Sequence, residues 1–201
     1  MSRKAVFLDL DGTLVVDVPY NVDPERVRLM PDCVDGLRRL HQAGYALFVT
    51  ANQPGVALGM FPENALLLVE HAIHQHLTAV GVQLAGFRYC PHHPHGREAR
   101  FSLVCRCRKP APGLLQDLAR DKDVALAESW AVGDLLHDVE AGHRAGARAV
   151  HINNGHETEW VMTPLRQPDA VAPHINAAAD AILAAARTRA PAPATRPGER
   201  G

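Results

Sequence analysis

The stretch Ala5-Val6-Phe7-Leu8-Asp9-Leu10-Asp11-Gly12-Thr13-Leu14 constrains this chain more than any other. An apolar run without polar interruption has to be buried on both faces, as in a strand inside a parallel sheet. Val6–Leu8 therefore reads as a buried strand with Asp9 at its C-terminal end. In open parallel sheets that edge is where ligands bind. Asp9 and Asp11 are separated by a single residue, and Gly12 lets the chain bend between sheet and site. Two carboxylates that close repel, so the pair implies a bound cation or a shared proton. The same residues also fit a strand end followed by an Asx-type turn, in which Asp11 accepts from backbone donors.

Strand and helix signals then alternate. Ala46–Thr50, Gly86–Tyr89, Trp130–Val132 and Ala149–Ile152 read as strands. Helical segments are expected at Asp32–Ala43, where Val34, Leu37 and Leu40 share a face, and at Glu63–Val80, Pro112–Arg120 and Asp138–Ala145. This order argues for an α/β fold, a doubly wound parallel sheet covered by helices on both faces. A domain over residues 1–175 is expected, then an Ala-rich helix over 176–187. Residues 188–201, rich in Pro, Ala, Arg and Gly, read as a disordered tail.

The formal charge of −1 gives no reason to expect nucleic acid or an anionic membrane as a partner. No apolar run approaches the ~20 residues of a membrane span. Ser2-Arg3-Lys4 leads straight into the first strand without a secretory apolar segment. A cytoplasmic monomer with reduced cysteines is expected. Arginine is strongly preferred over lysine, with 18 Arg and 3 Lys among the 21 basic residues. A Lys inside a polar motif therefore calls for an explanation.

Three of the four cysteines fall in one segment without periodicity, between Cys90 and Pro110. Cys90-Pro91-His92 is followed, after twelve residues, by Cys105-Arg106-Cys107. Three thiolates and an imidazole satisfy a tetrahedral zinc ion, and four protein ligands make its site structural rather than catalytic. Metal binding would supply the ordering energy that this segment cannot gain by burying apolar surface. The competing reading is a loop of reduced thiols with chance histidines. His93 and His95 are expected to face solvent or the surroundings of the site, and Cys33 to be a small buried apolar residue.

Other strand ends should point to the same edge. After the second strand come Thr50-Ala51-Asn52-Gln53-Pro54-Gly55, able to offer backbone N–H groups to a phosphate or to form an ordinary turn. Lys109, in Arg108-Lys109-Pro110, suits a single phosphoryl oxygen, or is a solvated Lys before a Pro-started helix. Gly133-Asp134 ends the fourth strand, and Asp138 lies in the first turn of the next helix, where acidic residues are favoured anyway. Asp9 and Asp134 together would give a hard, oxygen-rich site suited to Mg²⁺.

As a set, Asp-x-Asp-Gly-Thr, the Thr-containing strand end, Lys109 and Gly-Asp-x-x-x-Asp resemble the haloacid dehalogenase-like (HAD) phosphohydrolases over about residues 5–152. Cys90-Pro91-His92-His93-Pro94 with Cys105-x-Cys107-Arg108-Lys109-Pro110-x-Pro112-Gly113 is similar to their capless, zinc-containing branch. Asn52-Gln53-x-Gly55 and the run from Asp17 to Tyr20 share that likeness. The resemblance implies Asp9 as nucleophile, Asp11 as general acid and base, and Lys109 as a phosphoryl-neutralising cation. It also implies Mg²⁺ on Asp9, the Asp11 carbonyl and Asp134, with Asp138 in support. Thr50, Ala51, Asn52, Arg108, Asp17 and Tyr20 would contact substrate. The expected substrate is a small phosphorylated sugar. The twelve-residue interval favours the heptose-bisphosphate branch, with histidinol phosphate or another polyol phosphate as the alternative. Three positions depart from the family pattern: Ala51 for Thr, Leu58 for Arg and Leu135 for Lys. A phosphate-binding homologue with weakened turnover is the rival reading. Deleting residues 188–201 is expected to leave activity and melting temperature nearly unchanged, and a large loss of either would show that the tail docks.

Overall fold

The computed structural model describes residues 2–189. Six strands form one sheet: β1 (Ala5–Leu8), β2 (Ala46–Asn52), β3 (Gly86–Cys90), β4 (Trp130–Gly133), β5 (Arg148–Ile152) and β6 (Ala170–Ala172). Their order is β3-β2-β1-β4-β5-β6, and every pairing is parallel. The helices are α1 (Val34–Gln42), α2 (Leu66–Ala79), α3 (Gly113–Lys122), α4 (Leu136–Ala145) and α5 (Ile175–Arg189). The chain winds outward from β1 to β3, then crosses back to lay β4 on the other side of β1. The strand order reverses there, which places a crevice at the C-terminal ends of β1 and β4.

Alternation along the strands feeds two apolar layers. Val6, Leu8, Leu47, Val49, Ala51, Trp130, Val132 and Val150 pack with Leu37 and Leu40 of α1, Ile73 and Leu77 of α2, and Ile182 of α5. Ala5, Phe7, Phe48, Ala131 and Ala149 pack with Leu115 and Leu118 of α3 and Val139 of α4. Burial on both faces explains why these strands are continuously apolar rather than alternating. Between β1 and α1 the chain forms only one short 3-10 turn, Pro24–Arg26, and no cap domain. No helix among the described residues is long and apolar enough to cross a membrane.

The structure corrects several expectations. β2 and β3 run on to Asn52 and Cys90, which pair with each other. The helix expected from Glu63 opens as a 3-10 turn, Glu63–Ala65, before α2. β6 was not expected: its three residues form an edge strand with Val171 exposed, too short to show periodicity. α5 begins at Ile175 and takes in Thr188 and Arg189, so the expected tail boundary falls inside a helix. Its start is fixed by a long-range contact, the Gly36 N–H donating to Asn176 Oδ1 at 2.6 Å. The rest of the expected tail, 190–201, lies outside the described residues.

Ile182 is fully buried between α5 and the sheet. Ile182→Ala is expected to lower the unfolding free energy by about 2–5 kcal/mol, measurable by denaturant titration. A change under 1 kcal/mol would mean that α5 contributes little to the core.

Candidate active site

The site grows from the ends of β1, β2 and β4. Asp9 follows β1 directly, its N–H donating to the Val132 carbonyl of β4 at 2.8 Å. Its carboxylate receives the Lys109 ammonium. The same Nζ lies 2.5 Å from Asp138 Oδ1 and donates to the Thr50 carbonyl at 2.8 Å. Lys109 is buried, so its charge is tolerable only because all three partners are in place. Asn52, the last residue of β2, holds the Lys109 backbone from both sides. Its Oδ1 accepts from the Lys109 N–H at 3.0 Å, and its Nδ2 donates to the Lys109 carbonyl at 3.1 Å.

Asp138, in the first turn of α4, accepts from the Leu135 N–H at 3.2 Å. It packs against Gly133, where an added Cβ would lie 2.2 Å from the Asp138 carboxyl carbon. A side chain at 133 would therefore expel Asp138. Asp134 accepts from Thr13 Oγ1 at 3.3 Å and pairs with His156 Nδ1 at 2.6 Å. Asp11 accepts from Gln53 Nε2 at 2.9 Å. Asp9, Asp134 and Asp138 can each direct one oxygen to a common point, the three lying within 4.8 Å of one another. Such an all-oxygen donor set fits a hard divalent cation.

These groups line a cavity of about 280 Å³, together with Asp11, Asp17, Asn52, Leu135 and His137. Burial raises the Asp9 pKa to about 6, Lys109 opposing the shift and Asp138 adding to it. Burial, reinforced by the charges of Asp9 and Asp17, pushes Asp11 up to about 7. Asp134 and Asp138 are raised for the same first reason, against His156 and Lys109 respectively. Burial works against the Lys109 charge, but Asp138 and Asp9 outweigh it and raise its pKa. The cavity thus sets carboxylates with raised pKa values beside a lysine whose charge is favoured.

Asp9, Asp11, Asp17, Asn52, Lys109, Asp134 and Asp138 meet in this cavity. The Asp11 carboxyl turns to Gln53 and stands apart from the three-carboxylate cluster. Thr50, Ala51, Tyr20 and Arg108 do not line the cavity. Ala51 was expected to contact substrate. Strand alternation instead sets it beside Leu47 and Val49, in the layer under α1 and α5. Thr50 contributes its carbonyl to Lys109 rather than its hydroxyl to the cavity. Tyr20 is 46% exposed, and Arg108 Nη1 donates to the His92 carbonyl at 3.4 Å. Gln53, His137 and His156 were missed. Gln53 stood within a quoted motif, whereas the histidines carry no local signal.

Cys90, His92, Cys105 and Cys107 come together at the head of the Lys109 segment. Their donor atoms are 3.2–3.6 Å apart: Cys107 to Cys90 3.2 Å, Cys107 to Cys105 3.3 Å, Cys90 to Cys105 3.5 Å and His92 Nδ1 to Cys90 3.6 Å. Ligands on a tetrahedral zinc at ~2.3 Å would be separated by roughly 3.8 Å, so the cluster fits a zinc site with slight expansion.

A HAD-hydrolase-like family model matches residues 106–178. The D-glycero-beta-D-manno-heptose-1,7-bisphosphate 7-phosphatase of Yersinia pestis is 39% identical over 140 residues, 70% of this chain and 74% of that protein. The chain belongs to this HAD-like phosphatase family. Among solved structures, the D,D-heptose 1,7-bisphosphate phosphatase of B. bronchiseptica, complexed with magnesium and phosphate, superposes with a TM-score of 0.76 at 31% identity. The match covers 90% of this chain and 99% of that one. A HAD-like phosphatase of Mesorhizobium loti gives 0.80 at 29% identity over 93% of this chain and 87% of its own. As a HAD-family phosphatase, the chain is a phosphoric monoester hydrolase.

The Asn52 clamp yields a test. Asn52→Ala leaves the Lys109 N–H and C=O without these partners, so kcat/KM on any phosphate ester is expected to fall roughly 10- to 100-fold, from about 1–3 kcal/mol for unsatisfied groups. Wild-type kcat/KM in this variant would show that Lys109 is placed without the clamp.

Proposed function

We propose that the chain is a Mg²⁺-dependent phosphomonoesterase of small phosphorylated sugars, with a heptose 1,7-bisphosphate as substrate. It would work through an aspartyl-phosphate on Asp9. The carrying observation is the set of three convergent carboxylates, Asp9, Asp134 and Asp138, two of which pair with the buried Lys109. The identity to heptose-bisphosphate phosphatases supports the substrate.

In this reading Asp9 attacks phosphorus with one carboxylate oxygen while Lys109 holds the other. Asp11, protonated near neutrality, passes its proton to the leaving sugar oxygen. As a carboxylate it then takes a proton from the water that cleaves the aspartyl-phosphate. Gln53 fixes the Asp11 carboxyl through both steps. Asp138 keeps the Lys109 ammonium pointed at Asp9. Asp9, the Asp11 carbonyl and Asp134 would hold Mg²⁺, which when bound neutralises charge on the transferring phosphoryl group. Asn52 and Asp17 are read as the substrate-facing residues.

The zinc cluster is read as structural, fastening the segment that delivers Lys109. Residues 1–175 would form the catalytic unit, closed by α5, in a monomer of the cytoplasm, where thiols stay reduced. One observation favours a singly phosphorylated polyol as the second reading. Lys109 is the one lysine or arginine among the lining residues and is already engaged, and Leu135 adds no charge.

Phosphate release with Mg²⁺ from heptose 1,7-bisphosphate, histidinol phosphate and an aryl phosphate decides between these readings. No release from any of them would favour a phosphate-binding protein. Asp9→Asn is expected to abolish turnover and Asp11→Asn to slow it by ~10²–10⁴-fold, while EDTA silences the enzyme until Mg²⁺ is restored. Full activity in Asp9→Asn would refute the mechanism. One zinc equivalent is expected by metal analysis of freshly reduced protein, and Cys107→Ser is expected to lose zinc, melting temperature and activity together. Zinc-free protein with full stability would sink the structural role.

A further inference from the structure

The segment after β5 brings His156 to the cavity and is fastened at two points. Asn154 Nδ2 donates to the Gly12 carbonyl at 2.8 Å, and Asn154 Oδ1 accepts from the His156 N–H at 3.2 Å. Beyond His156, Glu157 Oε2 accepts from the Leu136 N–H at 2.6 Å, at the start of α4. Glu157 Oε1 accepts from the Glu159 N–H at 2.8 Å. Between these anchors the His156 ring sets Nδ1 2.6 Å from Asp134 Oδ2. Gly12 makes room for the pair. With φ of 78°, it stands where an added Cβ would lie 2.2 Å from Asp134 Oδ2 and 2.5 Å from His156 Nδ1. Three separate stretches, 12–13, 134 and 154–157, therefore agree on one orientation of one carboxylate.

An ionised Asp134 only accepts, so Nδ1 carries the proton and donates. With Thr13 Oγ1 on Oδ1 at 3.3 Å, both Asp134 oxygens are oriented. A partner outside the ligand set that holds a ligand carboxylate in place typically changes metal affinity 10- to 100-fold. The alternative, a surface His meeting a carboxylate by chance, does not account for the double anchoring or for the room left at Gly12.

We propose that His156 is a positioning residue of the cation site: it holds Asp134 in the orientation that receives a divalent cation and so sets the Mg²⁺ affinity of this chain. This rests on the reading of Asp134 as a cation ligand. Asn at 156 can offer its Nδ2–H in place of the imidazole Nδ1–H, whereas Ala offers nothing.

Calorimetric titration of the full, zinc-containing chain with Mg²⁺ alone tests the proposal, using wild type, His156→Ala, His156→Asn and Asp134→Asn. His156→Ala is expected to bind Mg²⁺ about 10- to 100-fold more weakly, with the melting temperature of the cation-free protein held. Its kcat at saturating Mg²⁺ should fall by less than its affinity. His156→Asn should recover most of the affinity, and Asp134→Asn should lose binding altogether. Wild-type affinity in His156→Ala, with Asp134→Asn not binding, would overturn the positioning role and leave the cation site standing. An Asn variant as weak as Ala would also overturn it, since Nδ1 donation would not be what matters. Unchanged binding in Asp134→Asn would remove the cation-site reading and the proposal with it.

Discussion

Everything at the sheet edge depends on one buried ammonium. Lys109 Nζ sits between Asp9 and Asp138 with the Thr50 carbonyl as third acceptor. A lone lysine there would lose its proton, and two lone carboxylates would each keep one. Together they hold a charged lysine against carboxylates whose pKa values stay above the ordinary range. Breaking such a buried group by removing one partner costs far more than the net value of the pair, because the remainder is left uncompensated. The three acceptors come from β1, β2 and α4, so the ammonium also ties together the three elements around the strand-order reversal.

Lys109 reaches this place because two devices control its backbone. The Asn52 amide treats the Lys109 peptide as though it were the next strand, giving and taking one hydrogen bond each. Two residues upstream, Cys107 joins Cys90, His92 and Cys105. Cys90 is the last residue of β3 and pairs with Asn52 in the sheet. The Cys/His cluster and the clamp therefore share one sheet register, and a loop with little apolar content delivers a side chain to a defined point.

Much of this was legible in the chain. The continuous apolar runs give away a sheet buried on both faces, and polar residues at their ends mark one edge, so Asp9 and Asp134 are placed there by local pattern, whereas Lys109 was joined to them only through the resemblance. The cysteine spacing carries its own geometry. Contacts made at great sequence distance are not written locally. Asn154 on the Gly12 carbonyl, 142 residues away, and His156 on Asp134 have no signal in their surroundings. β6 is too short to show a period. Position 51 was misread because the face on which a strand residue lies depends on the register of the whole strand. That register follows from the burial of Leu47 and Val49, not from the motif after it.

The charge of the cavity constrains the order of events. Five carboxylates, Asp9, Asp11, Asp17, Asp134 and Asp138, face one ammonium that already has its partners. An anionic phosphate ester approaching that wall meets net repulsion, and burial raises the pKa values of four of these carboxylates. On the proposed mechanism, protonation of Asp9 or Asp134 would remove the nucleophile or a cation ligand, whereas protonation of Asp11 would serve the first chemical step. On the proposed reading, Asp9, the Asp11 carbonyl and Asp134 would hold a divalent cation that offsets this repulsion and would favour the ionised forms of Asp9 and Asp134, while the Asp11 carboxyl is turned to Gln53. On that reading, the turn of the Asp11 carboxyl to Gln53 is what would let two acids of one loop take opposite charge states, with cation binding ahead of ester binding.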